Sequence, residues 1–259
     1  MQTHDTVSRE QWIAARQALL AQEKEFTRAR DRLSAQRRAL PWVRIDKTYA
    51  FDGPNGRETL SDLFGGRSQL IIQHFMLAPG DTEGCPGCSF CADHVDGAFR
   101  HLAHHDVGFV AVSRAPLKTI EAYRRRMGWD FKWVSSGGSD FNYDFQVSFT
   151  KDELAKGKVF YNYAMTESSM QDLPGHSVFY KDPDGSIFHT YSSYGRGTED
   201  VIGAYMYLDL TPNGRNENGP YHSMMDWMKR HDEYQGAAGA HHCCGPEADQ
   251  PQHRTAASG

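Results

Sequence analysis

Three of the chain's five cysteines fall within seven residues, in Cys85-Pro86-Gly87-Cys88-Ser89-Phe90-Cys91. Cys85 and Cys88 have the C-x-x-C spacing of a dithiol that can close into a disulfide, and also of half a zinc site. The flanking sequence bears on the choice. Residues 70–77 (LIIQHFML) form an apolar run of strand length, of the kind buried on both faces of a sheet. From 86 to about 105 the pattern is helical, and Pro86 suits a first helical turn, where its missing N–H costs nothing. Cys85 is therefore expected where a strand hands over to a helix N-terminus, whose free N–H groups and dipole favour a negative charge. A thiolate held there has a depressed pKa and is the nucleophile of disulfide exchange. The expected roles are Cys85 as attacking thiolate and Cys88, one turn further on, as resolving thiol. Thr82 and the helix end would stabilise the charge.

The neighbouring candidates are less specific. Cys88, Cys91, Val95, Phe99 and Leu102 share one helical face, so Cys91 reads as a small core residue, a third redox thiol or a soft metal ligand. His94, His101 and His105 stripe the edge of that face, with His94 one turn from Cys91. A metal-binding alternative would hold copper, zinc or iron through Cys85, Cys88, Cys91 and His94. Against it, residues 41–235 contain no further C-x-x-C outside the 85–91 cluster. His189, Tyr191 and Arg196, in a dense polar and aromatic stretch, could line a pocket or hold an anion. His241-His242-Cys243-Cys244 is metal-capable by composition but falls in a Gly-, Ala- and Pro-rich tail. No P-loop and no flavin or nicotinamide fingerprint is present, so no cofactor is expected.

The elements that would position these groups follow from pattern. Ser8 and Gln11 have capping-box spacing, and a helix is predicted from there to about Ser34, with Trp12, Leu19, Phe26 and Leu33 repeating every seven residues. Such a stripe packs on its own domain or on a partner subunit, which makes a homodimer one possibility. A stretch over 42–51 reads as extended and ends in a turn. Strands are predicted over 107–112, 131–134, 177–180 and 187–191, and helices over 117–127 and around 201–208. Lys181-Asp182-Pro183-Asp184-Gly185 is a hairpin signal. Residues 140–175 show too little periodicity to assign. The order strand, helix, strand, helix, hairpin, helix is that of an α/β thioredoxin-like core, a central mixed sheet flanked by helices. The expected organisation is a helical arm (1–40), the thioredoxin-like domain (41–235) and a disordered tail (236–259).

The 259 residues are 39% hydrophobic and 24% charged with net charge −5, which offers no electrostatic case for nucleic acid or an anionic membrane. No apolar run approaches a membrane span, and the N-terminus lacks a secretory pattern. The expected location is the cytoplasm, where clustered cysteines serve redox chemistry or metal rather than structural disulfides.

Taken together, WVRIDKTYAFDGPNG, LSDLFGGRSQLIIQHFML, GCPGCSFCADH and SVFYKDPDGSIFHTYSSYGRG resemble the bacterial DUF899 family of thioredoxin-like proteins, over residues of about 5 to 230. The resemblance implies the thioredoxin-like fold and a dithiol–disulfide oxidoreductase, with a cellular dithiol as its reductant. Pro79, Thr82 and Cys85 are also similar to the peroxiredoxin pattern, with the Pro-to-Thr spacing one residue shorter. That similarity implies a second activity, thiol peroxidase, with Cys85 attacking peroxide. A thioredoxin would place a cis-proline opposite the dithiol, and Pro174 is the nearest candidate.

Overall fold

The computed structural model describes residues 4–234. Helix α1 (Arg9–Arg38) is capped by Ser8, whose side chain and that of Gln11 close the predicted capping box. Short strands follow: β1 (Val43–Arg44), β2 (Ala50–Gly53) and β3 (Gly56–Thr59), then α2 (Leu60–Leu63) and β4 (Gln69–His74). The cysteine helix is α3 (Pro86–Asp96), followed by α4 (Phe99–His104), β5 (Val107–Ser113), α5 (Leu117–Arg126) and β6 (Lys132–Ser135). Residues that the sequence pattern left unassigned form α6 (Phe141–Asp144), α7 (Lys151–Ala155) and a hairpin of β7 (Lys158–Tyr161) and β8 (Ala164–Glu167). The chain then returns through β9 (Gly175–Lys181) and β10 (Ile187–Tyr194) to α8 (Gly203–Leu208).

Eight strands make one sheet in the order β1-β10-β9-β4-β5-β6-β2-β3. At its centre β4 and β5 run parallel, while β9 is antiparallel to β4 and β10 to β9. This β-α-β-α-β-β order, with the cysteine helix after the first strand, is the thioredoxin-like fold. β1 is one edge strand and β2 is next to the other edge, though only residues 45–49 separate them. A flat sheet would part these two strands, six spacings apart, by roughly 29 Å at about 4.8 Å per strand. The linker spans at most about 21 Å. The sheet must curl, and Tyr49, Phe51, Leu70, Ile72, Val112, Val134 and Phe179 fill its concave side. The alternate residues Ile71, Phe109, Ala111 and Trp133 face the other way, onto α3 and α5. This two-sided burial explains why β4 and β5 read as unbroken apolar runs.

The predicted single helix over 86–105 is two helices, with α3 ending at Gly97. None of α1's residues is buried, so of the two packings open to the arm, that on its own domain is not the one seen. Its attachment runs through Arg37, paired with Asp200 at 2.8 Å and stacked over Tyr191. No helix of the described residues is long and apolar enough to cross a membrane. The tail from residue 236, with Cys243 and Cys244, lies outside the described residues.

Candidate functional site

Cys85 caps α3 from outside, its backbone extended, with Pro86 in the first turn as the sequence predicts. Its N–H donates to the Met76 carbonyl at 3.1 Å, which ties the cysteine loop to the chain leaving β4. Gly84 has to be glycine: a Cβ there would lie 2.6 Å from both the Phe75 and Tyr123 rings. At the start of the helix Ser89 donates to the Cys85 carbonyl and pairs with the Tyr123 hydroxyl, both at 2.9 Å, which fixes the first turn against α5.

The two thiols are neighbours with unequal character. A hydrogen bond from the Cys88 thiol pulls the Cys85 pKa down to about 6. The backbone N–H groups of Cys88 and Gly87 and the positive charge of Arg230 add to this, against an opposing burial penalty. Cys88 moves the other way: the same hydrogen bond and full burial hold its thiol protonated, well above the ordinary range, while the Met76 N–H points at its sulfur at 3.5 Å. Cys85 is partly exposed and Cys88 buried. An accessible thiolate paired with a buried protonated thiol is the asymmetry a nucleophile and a resolving group require.

Cys85 opens onto a cavity of about 300 Å³. Its wall includes Cys88, Pro174, His176, Ile202, Met224 and Met225. Pro174 lines the same cavity as the dithiol, but no cis peptide bond occurs among the described residues, so it is not the cis-proline of a thioredoxin. Of the polar candidates, Arg196 reaches the wall, held by Glu199 at 2.8 Å. His189 turns instead to the Ser192 hydroxyl at 2.7 Å, and Tyr191 lies beneath Arg37. Thr82 is exposed in the loop, outside the cavity wall, and makes no hydrogen bond to Cys85. The expected role of Thr82 falls to the Cys88 thiol, the backbone N–H groups and Arg230.

The four-ligand metal site does not assemble. Cys91 borders the same cavity but packs into a cluster with Phe90, Ile202, Tyr205 and Met228, where burial pushes its thiol up to about 12. Both nitrogens of His94 are engaged: Nδ1 donates to the Phe90 carbonyl at 2.6 Å and Nε2 accepts from the Ala204 N–H at 3.0 Å. Among the described residues no three His, Cys, Asp or Glu side chains gather as a ligand set. His101 and His105 are exposed.

Sequence reasoning missed the strap formed by residues 219–234. Arg230 donates to the Gly84 carbonyl at 2.8 and 3.1 Å, and His231 pairs with Asp93 of α3 at 2.7 Å. A Cβ on Gly87 would meet Met224 Sδ at 3.7 Å and Met228 Cε at 3.8 Å, so the strap lies directly on the cysteine turn. The available signal was Met224, Trp227 and Met228 at helical spacing in a stretch with no other pattern. His176 was missed as well. It stands opposite Gln73 across the β4–β9 ladder, and burial lowers its pKa to about 4, leaving a neutral imidazole in the wall.

Fold and cysteine placement define a thioredoxin-like protein with a dithiol at a helix N-terminus. The family described as "Bacterial protein of unknown function (DUF899)" matches residues 1–234, and the chain belongs to it. No curated protein matches the chain. Among solved structures it is similar to peroxidoxin BcpB from Mycobacterium tuberculosis, at 12% identity and a TM-score of 0.43 over 65% of this chain and 97% of that one. It is also similar to a cysteine-to-serine mutant of PrxQ from Xylella fastidiosa, at 14% and 0.40 over 61% and 88%. A third similar structure is a candidate thiol:disulfide interchange protein DsbE from Chlorobium tepidum, at 14% and 0.39 over 64% and 97%.

Proposed function

We propose that the protein is a thiol–disulfide oxidoreductase in which Cys85 attacks and Cys88 resolves. The observation that carries this reading is the pair itself: a Cys85 thiolate at the α3 N-terminus, hydrogen-bonded by a buried, protonated Cys88. In the first step Cys85 attacks a substrate disulfide; a sulfur–sulfur bond forms to Cys85 and the other substrate half leaves as a thiolate. Cys88 then gives up its proton and attacks Cys85, which releases the second half as a thiol and leaves the Cys85–Cys88 disulfide. A cellular dithiol returns both cysteines to the reduced state, taking the disulfide onto itself. We place this cycle in the cytoplasm, where such reductants are maintained.

A second reading uses the same two sulfurs and is favoured by the small cavity at Cys85, which fits a peroxide as readily as a disulfide. Cys85 attacks a hydroperoxide, gaining one oxygen as a sulfenic acid while the alcohol leaves with a proton. Cys88 condenses with the sulfenic acid to give the disulfide and water.

The test is a thiol count on protein cycled with dithiothreitol and then with one equivalent of either oxidant. Two thiols lost and regained, with none lost in Cys85→Ser, supports the dithiol. Cys88→Ser should trap a mixed disulfide with a disulfide substrate, or a dimedone-reactive sulfenic acid with peroxide. A Cys85→Ser protein that cycles like the wild type would end both readings.

A further inference from the structure

The face on which a thioredoxin would receive a protein disulfide is already occupied. The strap runs over the cysteine turn, with Met224 and Met228 against Gly87, and is pinned on both sides of it. Arg230 holds the Gly84 carbonyl next to Cys85, and His231 holds Asp93 near the far end of α3. Arg126 adds a clamp, bonding Asp232 at 2.7 Å and pairing with Glu83. What remains open to Cys85 is the cavity of about 300 Å³, the small end of the range for ligand sites. Much of its wall is carbon and sulfur: Cys91, Pro174, Ile202, Met224 and Met225, with Gly87, Gly175 and Gly195 between them.

The charged groups of the wall are few and their signs matter. Glu199 and Glu217 both line it, and Arg196 is the cation among the lining residues. Arg196 is committed to Glu199, as is Arg215 at 3.0 Å, and Glu217 accepts from the Tyr205 hydroxyl at 2.6 Å. His176 contributes no charge. An anionic substrate would find two carboxylates and no uncommitted cation on this wall. A neutral, apolar body would find thioether and aliphatic surface, which adapts to irregular shapes.

We propose that the acceptor reduced at Cys85 is a low-molecular-weight, neutral molecule whose S–S or O–O bond is carried on an apolar body, and that folded protein disulfides are excluded. This rests on the dithiol reading above and adds to it the substrate class. Bond making and breaking are as written there, with the apolar part of the substrate lodged against Met224, Met225 and Ile202.

The experiment compares reduced full-length protein with two chromogenic aromatic disulfides, neutral 4,4′-dithiodipyridine and doubly anionic 5,5′-dithiobis(2-nitrobenzoate). Free dithiothreitol calibrates their intrinsic reactivity. Insulin serves as the protein disulfide and cumene hydroperoxide as the apolar peroxide. The neutral-to-anionic rate ratio should exceed that of dithiothreitol by about tenfold or more, the scale of electrostatic focusing at a charged cleft. Insulin should be reduced at the uncatalysed rate. Glu217→Gln should bring the ratio back toward the reference, since the amide still accepts from Tyr205 but carries no charge. Consumption of cumene hydroperoxide faster than of hydrogen peroxide would identify the O–O source, and reduction of 4,4′-dithiodipyridine with neither peroxide consumed the S–S source. Hydrogen peroxide consumed faster than cumene hydroperoxide would overturn the apolar body. Rapid insulin reduction, or a ratio equal to that of dithiothreitol while Cys85→Ser is inert, would overturn the substrate class and leave the dithiol reading standing. A Cys85→Ser protein as reactive as wild type would overturn the dithiol reading itself.

Discussion

At the residue scale the chemistry depends on how a single proton is shared between two sulfurs. Cys85 is a thiolate from about pH 6 upward because Cys88 donates to it, assisted by the Cys88 and Gly87 N–H groups and by Arg230. The group is acidic and its pKa is lowered, so its reactive form accumulates as pH rises through that value and is lost below it. Iodoacetamide alkylation of Cys85 should therefore climb about tenfold per unit below pH 6 and flatten by pH 7 to 8, whereas an ordinary thiol keeps climbing to near 8.5. Replacing Cys88 by Ala removes the leading stabilising hydrogen bond and should move the Cys85 inflection upward; mass spectrometry of the alkylated peptide reads both. Cys91 should behave differently. It is packed among Phe90, Ile202 and Tyr205 with its thiol held neutral. Cys91→Ala should cost about 1 kcal/mol, the worth of one buried methylene-sized group, and leave the number of cycling thiols at two. A loss of exchange in that variant would assign Cys91 a redox part.

At the element scale, the strand–helix junction was legible in sequence and the strap across it was not. The hydrophobic period of β4, the proline in the first turn and the cysteine spacing are local signals, and each places Cys85 correctly. The strap is held by long-range polar contacts such as Arg230 to Gly84, and no local pattern announces a partner 146 residues away. The β7–β8 hairpin escaped for another reason. Its two turn residues, Asn162 and Tyr163, both have positive φ, as a tight hairpin turn demands. The second of these positions normally carries glycine, and a tyrosine there gives no turn signal. The stretch over 42–51 is extended, but its division into two strands on opposite sides of a curled sheet is a matter of topology that no local pattern carries. The junction itself tolerates little. In Gly84→Ala the new methyl meets Phe75 and Tyr123 at 2.6 Å, both rings being buried. Overpacking of this kind costs about 1–3 kcal/mol. The variant should melt several degrees lower, and its Cys85 alkylation should change at neutral pH, because the backbone that aims the sulfur has moved. Unchanged kinetics with a lowered melting temperature would mean that the turn absorbs the strain away from Cys85.

At the scale of the whole molecule, the curled sheet and the arm are energetically distinct. The sheet encloses aromatic cores on both faces, whereas α1 buries no residue and leaves Trp12 48%, Leu19 50%, Phe26 70% and Leu33 46% exposed. Its internal ion pairs, Arg16–Glu23 and Arg32–Glu25, are exposed and add little. Most helical stability in proteins comes from tertiary packing, which α1 lacks. Melting of dilute protein should thus show two events: an early loss of far-ultraviolet helix signal from the arm, then cooperative loss of near-ultraviolet signal from the aromatic core. The spacing of Trp12, Leu19, Phe26 and Leu33 makes one seam along the helix, which a second copy can cover by the same residues. Pairing follows mass action, so the early transition should rise with protein concentration while the later one stays fixed. Leu19→Glu with Phe26→Glu should abolish that dependence and leave Cys85 alkylation as in wild type, because the seam and the dithiol share no contact. An early transition that does not move with concentration would show that the arm works alone, and a single transition would show that it is held to the core by more than Arg37.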